Sequence, residues 1–248
     1  MLKILKKIFD NEYKELKRFT ALADKIVALD EEYTKLTDTE LQSKTEEFRE
    51  RLKKGDKVAI VCLSSGLLGE REMLHKYEIG KKRLEEKFGL EVVTMENTLK
   101  GIEYLYNHPE KRAEDLMNAF KDKSIKAIIC SIGGDDTIRL LPYIDYEVIR
   151  NNPKIFMGFS DTTANHLMMQ KAGVISYYGP CLMCDFANYV DMYDYTENAV
   201  RKLLFEAKDN YEIKKCDYWT NEHIEWCEEN INKQKTKLQD GKGYEVIQ

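Results

Sequence analysis

Apolar positions recur at two different spacings along this chain, and the change falls near residue 55. Before it, Leu2, Leu5, Ile8 and Phe9 lie on one three- and four-residue repeat, and Leu16, Phe19, Leu22, Ala23, Ile26 and Val27 on another. That period is the apolar stripe of an amphipathic helix. Thr37 to Glu40 reads as a capping box, a hydroxyl followed three residues on by glutamate. It opens a third helix through Leu41, Thr45, Phe48 and Leu52. From Asp56 onward, short apolar runs replace the stripe: 57–63, 90–95, 125–131, 155–160 and 174–178. Runs of that length, rich in Val and Ile, predict strands buried on both faces. Helical patterns fall between and after them, near 70–88, 110–121, 161–172 and 196–207. Strand alternating with helix predicts an α/β fold, a parallel sheet with helices on both faces, preceded by an all-helical leader. The expected division is 1–55 for the leader, 56–209 for the α/β domain and 210–248 for a helical or polar segment beyond it.

Composition narrows the class. With 43% hydrophobic residues in 248, the chain can bury a core. No run approaches the roughly 20 apolar residues of a transmembrane helix. The net charge of −5, from 39 basic and 44 acidic side chains, excludes a general nucleic-acid surface. Residues 1–55 hold 13 Lys/Arg against 12 Asp/Glu, so the deficit lies in the rest of the chain. Six cysteines follow no secretory signal, which predicts a cytoplasmic protein with free thiols. Cys181 and Cys184 have the C-x-x-C spacing of redox or zinc sites, but no second pair or His cluster completes four ligands. All six cysteines therefore read as structural, and neither a metal nor a cofactor is expected.

In open α/β sheets ligands bind beyond the carboxyl ends of the strands. The third strand run ends in Gly133, Gly134, Asp135, Asp136 and Thr137. Two glycines allow a sharp turn into a helix, whose free N–H groups can hold an oxyanion. Thr137 is then placed as a hydroxyl nucleophile, with residues 133–136 as the oxyanion and substrate loop. Asp136 and Thr137 serve equally well as helix caps. Ser160 and Asp161 follow the next strand and also read as caps. Gly179 and Pro180 make a rigid turn after the last strand. With Ser64 and Ser65 after the first strand, these turns would converge on one substrate rim.

Several of these motifs occur together in one known family. Residues 54–61 with Ser64 to Gly66, the stretch from Ile132 to Asp145 (IGGDDTIRLLPYID), Gly158 to Thr163 (GFSDTT) and Tyr178 to Pro180 stand in matching order. From about Leu52 onward the chain resembles the amino-terminal domain of the LD-carboxypeptidase family of serine peptidases, which includes the microcin C immunity peptidase. The resemblance implies a flavodoxin-like sheet, of the class I glutamine-amidotransferase kind. It implies cleavage of peptide bonds near a terminal carboxylate, in cell-wall peptides or peptidyl-nucleotides, by a Ser–His–Glu triad without metal. Two departures predict weak or absent catalysis. Thr137 stands at the position of the family's serine, and the family's Glu and His lie in a carboxyl-terminal domain beginning roughly where this chain stops. None of His75, His108, His166 or His223 matches the family's histidine. The alternative is a non-catalytic module that holds a peptide or peptidyl-nucleotide. An apolar face left by a missing domain would favour a homodimer.

The leader is similar to something else. Residues 1–10 and 36–52 resemble the extreme amino terminus of SecA, the preprotein translocase motor. A nucleotide-binding loop of the form G-x-x-x-x-G-K-[ST] is absent from the sequence, so ATPase activity is not predicted. Lys3, Lys6 and Lys7 beside an apolar face suit weak membrane or translocon contact through residues 1–10. The two resemblances meet at residues 51–55, which predicts a chimaera of a translocase leader and a truncated peptidase domain. A third reading is therefore a translocase-associated interaction protein.

Overall fold

Alternate residues of each strand enter different hydrophobic clusters. Val58 and Ile60 of β1 (Lys57–Val61), Ala127 and Ile129 of β3 (Ile125–Cys130), and Ile155 and Met157 of β4 (Ile155–Gly158) join one cluster. Ala59, Val61, Ile128, Cys130 and Phe156 join the other. That two-residue period places a helical layer against each face of the sheet, as the continuous apolar runs imply. The computed structural model describes residues 16–21, 23, 24, 27, 28, 34, 35, 37, 52–206, 211–236, 238 and 239.

The sheet is parallel, in the order β2-β1-β3-β4-β5, with β2 at Glu91–Thr94 and β5 at Tyr177–Tyr178. This is the flavodoxin-like order, whose direction reverses between β1 and β3 and opens a crevice at their carboxyl ends. On one face lie α1 (Leu74–Glu86), with Tyr77 and Leu84 buried, and the turn Leu182–Phe186. Helices α3 (Pro109–Lys121), α4 (Tyr146–Asn151) and α5 (Thr163–Ala172) cover the other. Phe120, buried completely there, contributes on the order of 1.5–3 kcal/mol by leaving water.

The expected strands and helices are present, with four differences. The last strand is only two residues, because Val174 to Ser176 stay outside the ladder. Short helices at α2 (Ile102–Asn107) and α4 were not expected, and the helix expected after Gly134 is only the turn Thr137–Tyr143; fewer than two or three turns leave little periodicity to read. Asp145 caps α4, its carboxylate accepting from the N–H groups of Glu147 and Val148. The predicted helix near 196–207 runs as α6 (Asp194–Val200) followed by a wider turn at Arg201–Phe205. The segment expected to be helical or polar carries instead a two-stranded antiparallel ladder, β6 (Tyr218–Trp219) with β7 (Leu238–Gln239).

Residues 1–50 and 51–248 are two compact units. In the first, the described residues between 16 and 28 are helical, and Leu16, Phe19 and Val27 are exposed. The predicted stripe at residues 2–9 and most of the capping box lie outside the described residues. No helix among the described residues is long and apolar enough to cross a membrane.

One buried carboxyl ties β2 to α3. Asp115, only 3% exposed, accepts the backbone N–H of Asn97 at 2.9 Å and its Nδ2 at 2.8 Å. Burial pushes its pKa from 3.8 up to about 6, against the pull of the Asn97 bonds. Between those values the folded chain holds a proton that the unfolded chain has released. This group's contribution to stability therefore falls as pH rises from 3.8 to about 6, and is level above that. In urea unfolding, the stability of Asp115→Asn minus that of the parent is expected to increase across this window. A difference independent of pH would refute the assignment.

Candidate active site

Three loops leave the carboxyl ends of β1, β3 and β4, and glycines let them approach within contact of one another. A side chain on Gly134 would overlap the Ser64 hydroxyl and the Ser65 backbone, and one on Gly133 would stand 2.9 Å from Cβ of Ser160. Close approach, more than an unusual torsion, is what the Gly-Gly pair supplies. The Ser65 N–H donates to the Gly133 carbonyl at 3.2 Å. The β5 turn joins them, because Gly179 N–H donates to Gly158 O at 3.0 Å and the Ser160 N–H to the Tyr178 hydroxyl at 3.1 Å. Ser64, Ser65, Gly133, Gly134, Ser160, Asp161 and Gly179 thus lie together on one rim at the carboxyl edge of the sheet, with Pro180 next in the chain. Asp135 is exposed on it.

Asp161 has a role different from the expected cap. The cap positions of the helical turn Ser160–Thr162 and of α5 are Phe159 and Thr162, and neither side chain makes a capping bond. Instead one oxygen of Asp161 accepts the Ser64 hydroxyl at 2.5 Å and the Thr137 N–H at 2.9 Å. A single carboxylate staples the first and second loops to the third. Ser160 beside it is exposed and holds φ at +64°, a torsion uncommon for a residue with a Cβ.

The structure corrects the expected geometry of Thr137. Its side chain is 0% exposed, and its hydroxyl faces the Leu63 carbonyl and Asn165 Oδ1, each at 3.0 Å. Its backbone N–H, expected to be open to an oxyanion, is already bound to the Asp161 carboxylate. That oxygen occupies the anion-holding position of the loop and would repel a second anion. The next side chain along the turn, Ile138, is exposed.

Asp136 holds the cap position of the turn Thr137–Tyr143, but its side chain makes no capping bond. It faces the fully buried Arg112, whose guanidinium forks onto both of its oxygens at 2.7 and 3.0 Å. Arg112 also donates to the Leu63 and Ser64 carbonyls at 3.1 and 3.2 Å. It locks the first loop to the second from beneath. Arg139 holds Asp136 from the outside at 3.1 Å.

Among the described residues no imidazole reaches Thr137. His166 Nε2 lies 2.9 Å from Gly158 O, and Nδ1 lies 2.8 Å from the Ser176 hydroxyl. A carbonyl only accepts, so Nε2 carries the proton and Nδ1 takes the hydroxyl hydrogen. Burial holds this ring below its ordinary pKa, and it acts as a strut between the ends of β4 and β5. No group of His, Cys, Asp and Glu among the described residues is arranged to hold a metal ion.

Beyond the β5 turn the rim continues as a cleft. A cavity of about 350 Å³ is lined by Tyr178, Gly179, Pro180 and Tyr195. Tyr195 also lines a larger one of about 560 Å³, walled by Tyr218, Trp219, Lys215 and Lys235.

Residues 58–179, which carry all three stapled loops, match the LD-carboxypeptidase N-terminal domain. Over these residues the chain is similar to this family. The Escherichia coli microcin C7 self-immunity protein MccF is 33% identical over 158 residues, 63% of this chain and 46% of its own length. A Bacillus subtilis protein named Probable murein peptide carboxypeptidase is 32% identical over 170 residues, 64% of this chain and 48% of its own. An MccF-like protein from Streptococcus pneumoniae, solved with AMP, superposes with a TM-score of 0.70 at 37% identity, covering 75% of this chain and 55% of that one. The chain thus spans about half the length of these relatives. Residues 5–97 also match the SecA DEAD-like domain, further than the resemblance of the leader reached. Its last part, from Val58 on, forms β1, α1 and β2 of the sheet and is claimed by both families.

Sequence reasoning did not reach Arg112, Asn165 or Leu63 as members of this site. Arg112 lies in a charged stretch (EKRAED) that reads as a solvated helix face. Nothing local marks it as buried.

Proposed function

We propose that residues 52–236 form the substrate-binding part of an LD-carboxypeptidase-type site, one that holds a short peptide or peptidyl-nucleotide and by itself hydrolyses it poorly. One observation carries this reading: both the hydroxyl and the N–H of Thr137 are engaged inside the fold. A hydroxyl without a base or an open path to substrate loses several orders of magnitude in rate. The rim and its adjoining cleft support the binding half of the reading. Aromatic walls at Tyr195, Tyr218 and Trp219 suit a stacked base, and Lys215 and Lys235 suit a phosphate. The AMP bound to the Streptococcus pneumoniae relative is consistent with a nucleotide moiety.

The test is to titrate the full chain calorimetrically with an L,D-tetrapeptide and with a peptidyl-nucleotide, and to follow both for product. Saturable binding with no release of product is expected. Turnover abolished by Thr137→Ala in a folded variant would overturn it, and so would absence of binding to both compounds.

A further inference from the structure

The turn after β5 carries two thiols that the rim does not use. Cys181 stands at the head of the helical turn Leu182–Phe186, and Cys184 lies one turn further along. That spacing suits the roughly 4.4–6.8 Å between Cα atoms that a disulfide spans. The two thiols already hydrogen-bond to each other. Cys181 is fully buried, whereas Cys184 is partly open. The turn is held in place, with Met183 N–H on the Ser131 carbonyl at 2.9 Å and Cys181 N–H on Asp185 Oδ2 at 2.9 Å.

The surroundings favour a thiolate at one sulfur only. The hydrogen bond from Cys181 holds Cys184 below the ordinary thiol range, against burial and the Asp185 carboxylate and with help from Lys76 and Lys235. The same hydrogen bond, together with burial, pushes Cys181 up. Lys76 is fixed in place: buried, donating to Ala187 O at 2.6 Å, and 4.4 and 4.5 Å from the ring centres of Tyr189 and Trp226, with burial lowering its pKa to about 8. Cys62 and Cys130 differ, being fully buried with thiols raised by that burial.

We propose that Cys181 and Cys184 form a thiol–disulfide exchange site for a low-molecular-weight disulfide, with Cys184 as the attacking sulfur and Cys181 as the resolving one. The Cys184 thiolate attacks one sulfur of the small disulfide, forming a mixed disulfide and releasing one small thiolate. Cys181 then loses its proton and attacks the Cys184 sulfur, expelling the second small thiolate. The two leaving thiolates take up the two protons lost by the protein. The protein pair is oxidised and the small disulfide is reduced to two thiols.

Oxidised glutathione is the probe, with the full chain and peptide mapping by mass. The parent is expected to lose two hydrogens and to yield a peptide linked between Cys181 and Cys184. In Cys181→Ser, whose hydroxyl can still donate to Cys184, the reaction is expected to stop with one glutathione on Cys184. That adduct is expected to form on the order of threefold or more faster than one on the exposed Cys216. In Cys184→Ser, Cys181 is expected to stay unmodified. The parent's failure to form the linked peptide would overturn the proposal without reference to any variant. So would modification of Cys184 no faster than Cys216, or a glutathione on Cys181 in Cys184→Ser. These readouts are covalent and independent of binding at the rim.

Discussion

Arg112→Met is expected to lower the unfolding free energy by roughly 3–5 kcal/mol, the largest effect of any single change near the rim. The guanidinium is 0% exposed and serves three acceptors: the Asp136 carboxylate and the carbonyls of Leu63 and Ser64. Methionine keeps much of the apolar stem and removes every donor. Two carbonyls and a largely enclosed carboxylate would then lack their partner, and an unmade bond to a buried group costs more than a made one yields. Arg139 still reaches Asp136 from solvent, which places the loss toward the lower end of the range. Adding Asp136→Asn should recover part of it, because the stranded charge is gone. Arg112→Lys should fall between parent and methionine, since one ammonium cannot reproduce a planar fork. Urea denaturation with an unchanged m-value is the measurement. A loss under about 1 kcal/mol for Arg112→Met would show that the buried pair is not what holds the first two loops together.

Thr137→Val is expected to destabilise by roughly 1–3 kcal/mol while leaving ligand binding measurable below the unfolding transition. The valine removes the hydroxyl shared by Leu63 O and Asn165 Oδ1, in a place with no exposure to water. Thr137→Ser keeps that hydroxyl and deletes one buried methyl group, so its cost should be about 1 kcal/mol. The expected order of stability is therefore parent, serine, valine. A nucleophilic role makes a different forecast. Serine would relieve the crowding of a branched side chain and raise hydrolysis, and valine would abolish it at little cost in stability. Thermal unfolding and product assays on the same three proteins separate the two. A stable, inactive Thr137→Val beside an active parent would reverse the assignment.

Much of the α/β domain was legible because its signals are local. The strands at 57–61, 125–130 and 155–158 are apolar runs interrupted only by Lys57 and Lys126, and a run buried on both faces needs no knowledge of its neighbours. Convergence of the loops was legible too, since turns at the carboxyl ends of parallel strands must share one edge. The motif order from Ser64 to Pro180 placed the chain with the LD-carboxypeptidases before any coordinate did, and the match over residues 58–179 agrees. What side chains do within the rim was not legible in the same way. Asp161 has the local signature of a cap, yet its carboxylate points across to residues 97 and 24 positions away. Arg112 looks like a surface residue of a charged helix, and only the packing of α3 on the sheet turns it inward under the first loop.

The sequence by itself determined the class of fold and the sheet-and-helix order, because hydrophobic period and glycine-rich turns are properties of neighbouring residues. Only the tertiary structure decided which way Thr137 faces. Its hydroxyl meets Leu63 and Asn165, 74 and 28 residues away, and its N–H meets Asp161, 24 residues away. Those partners come from two other segments, the end of β1 and the turn from β4 into α5. Whether a buried hydroxyl is satisfied within the fold or presented to a ligand depends on all of them at once.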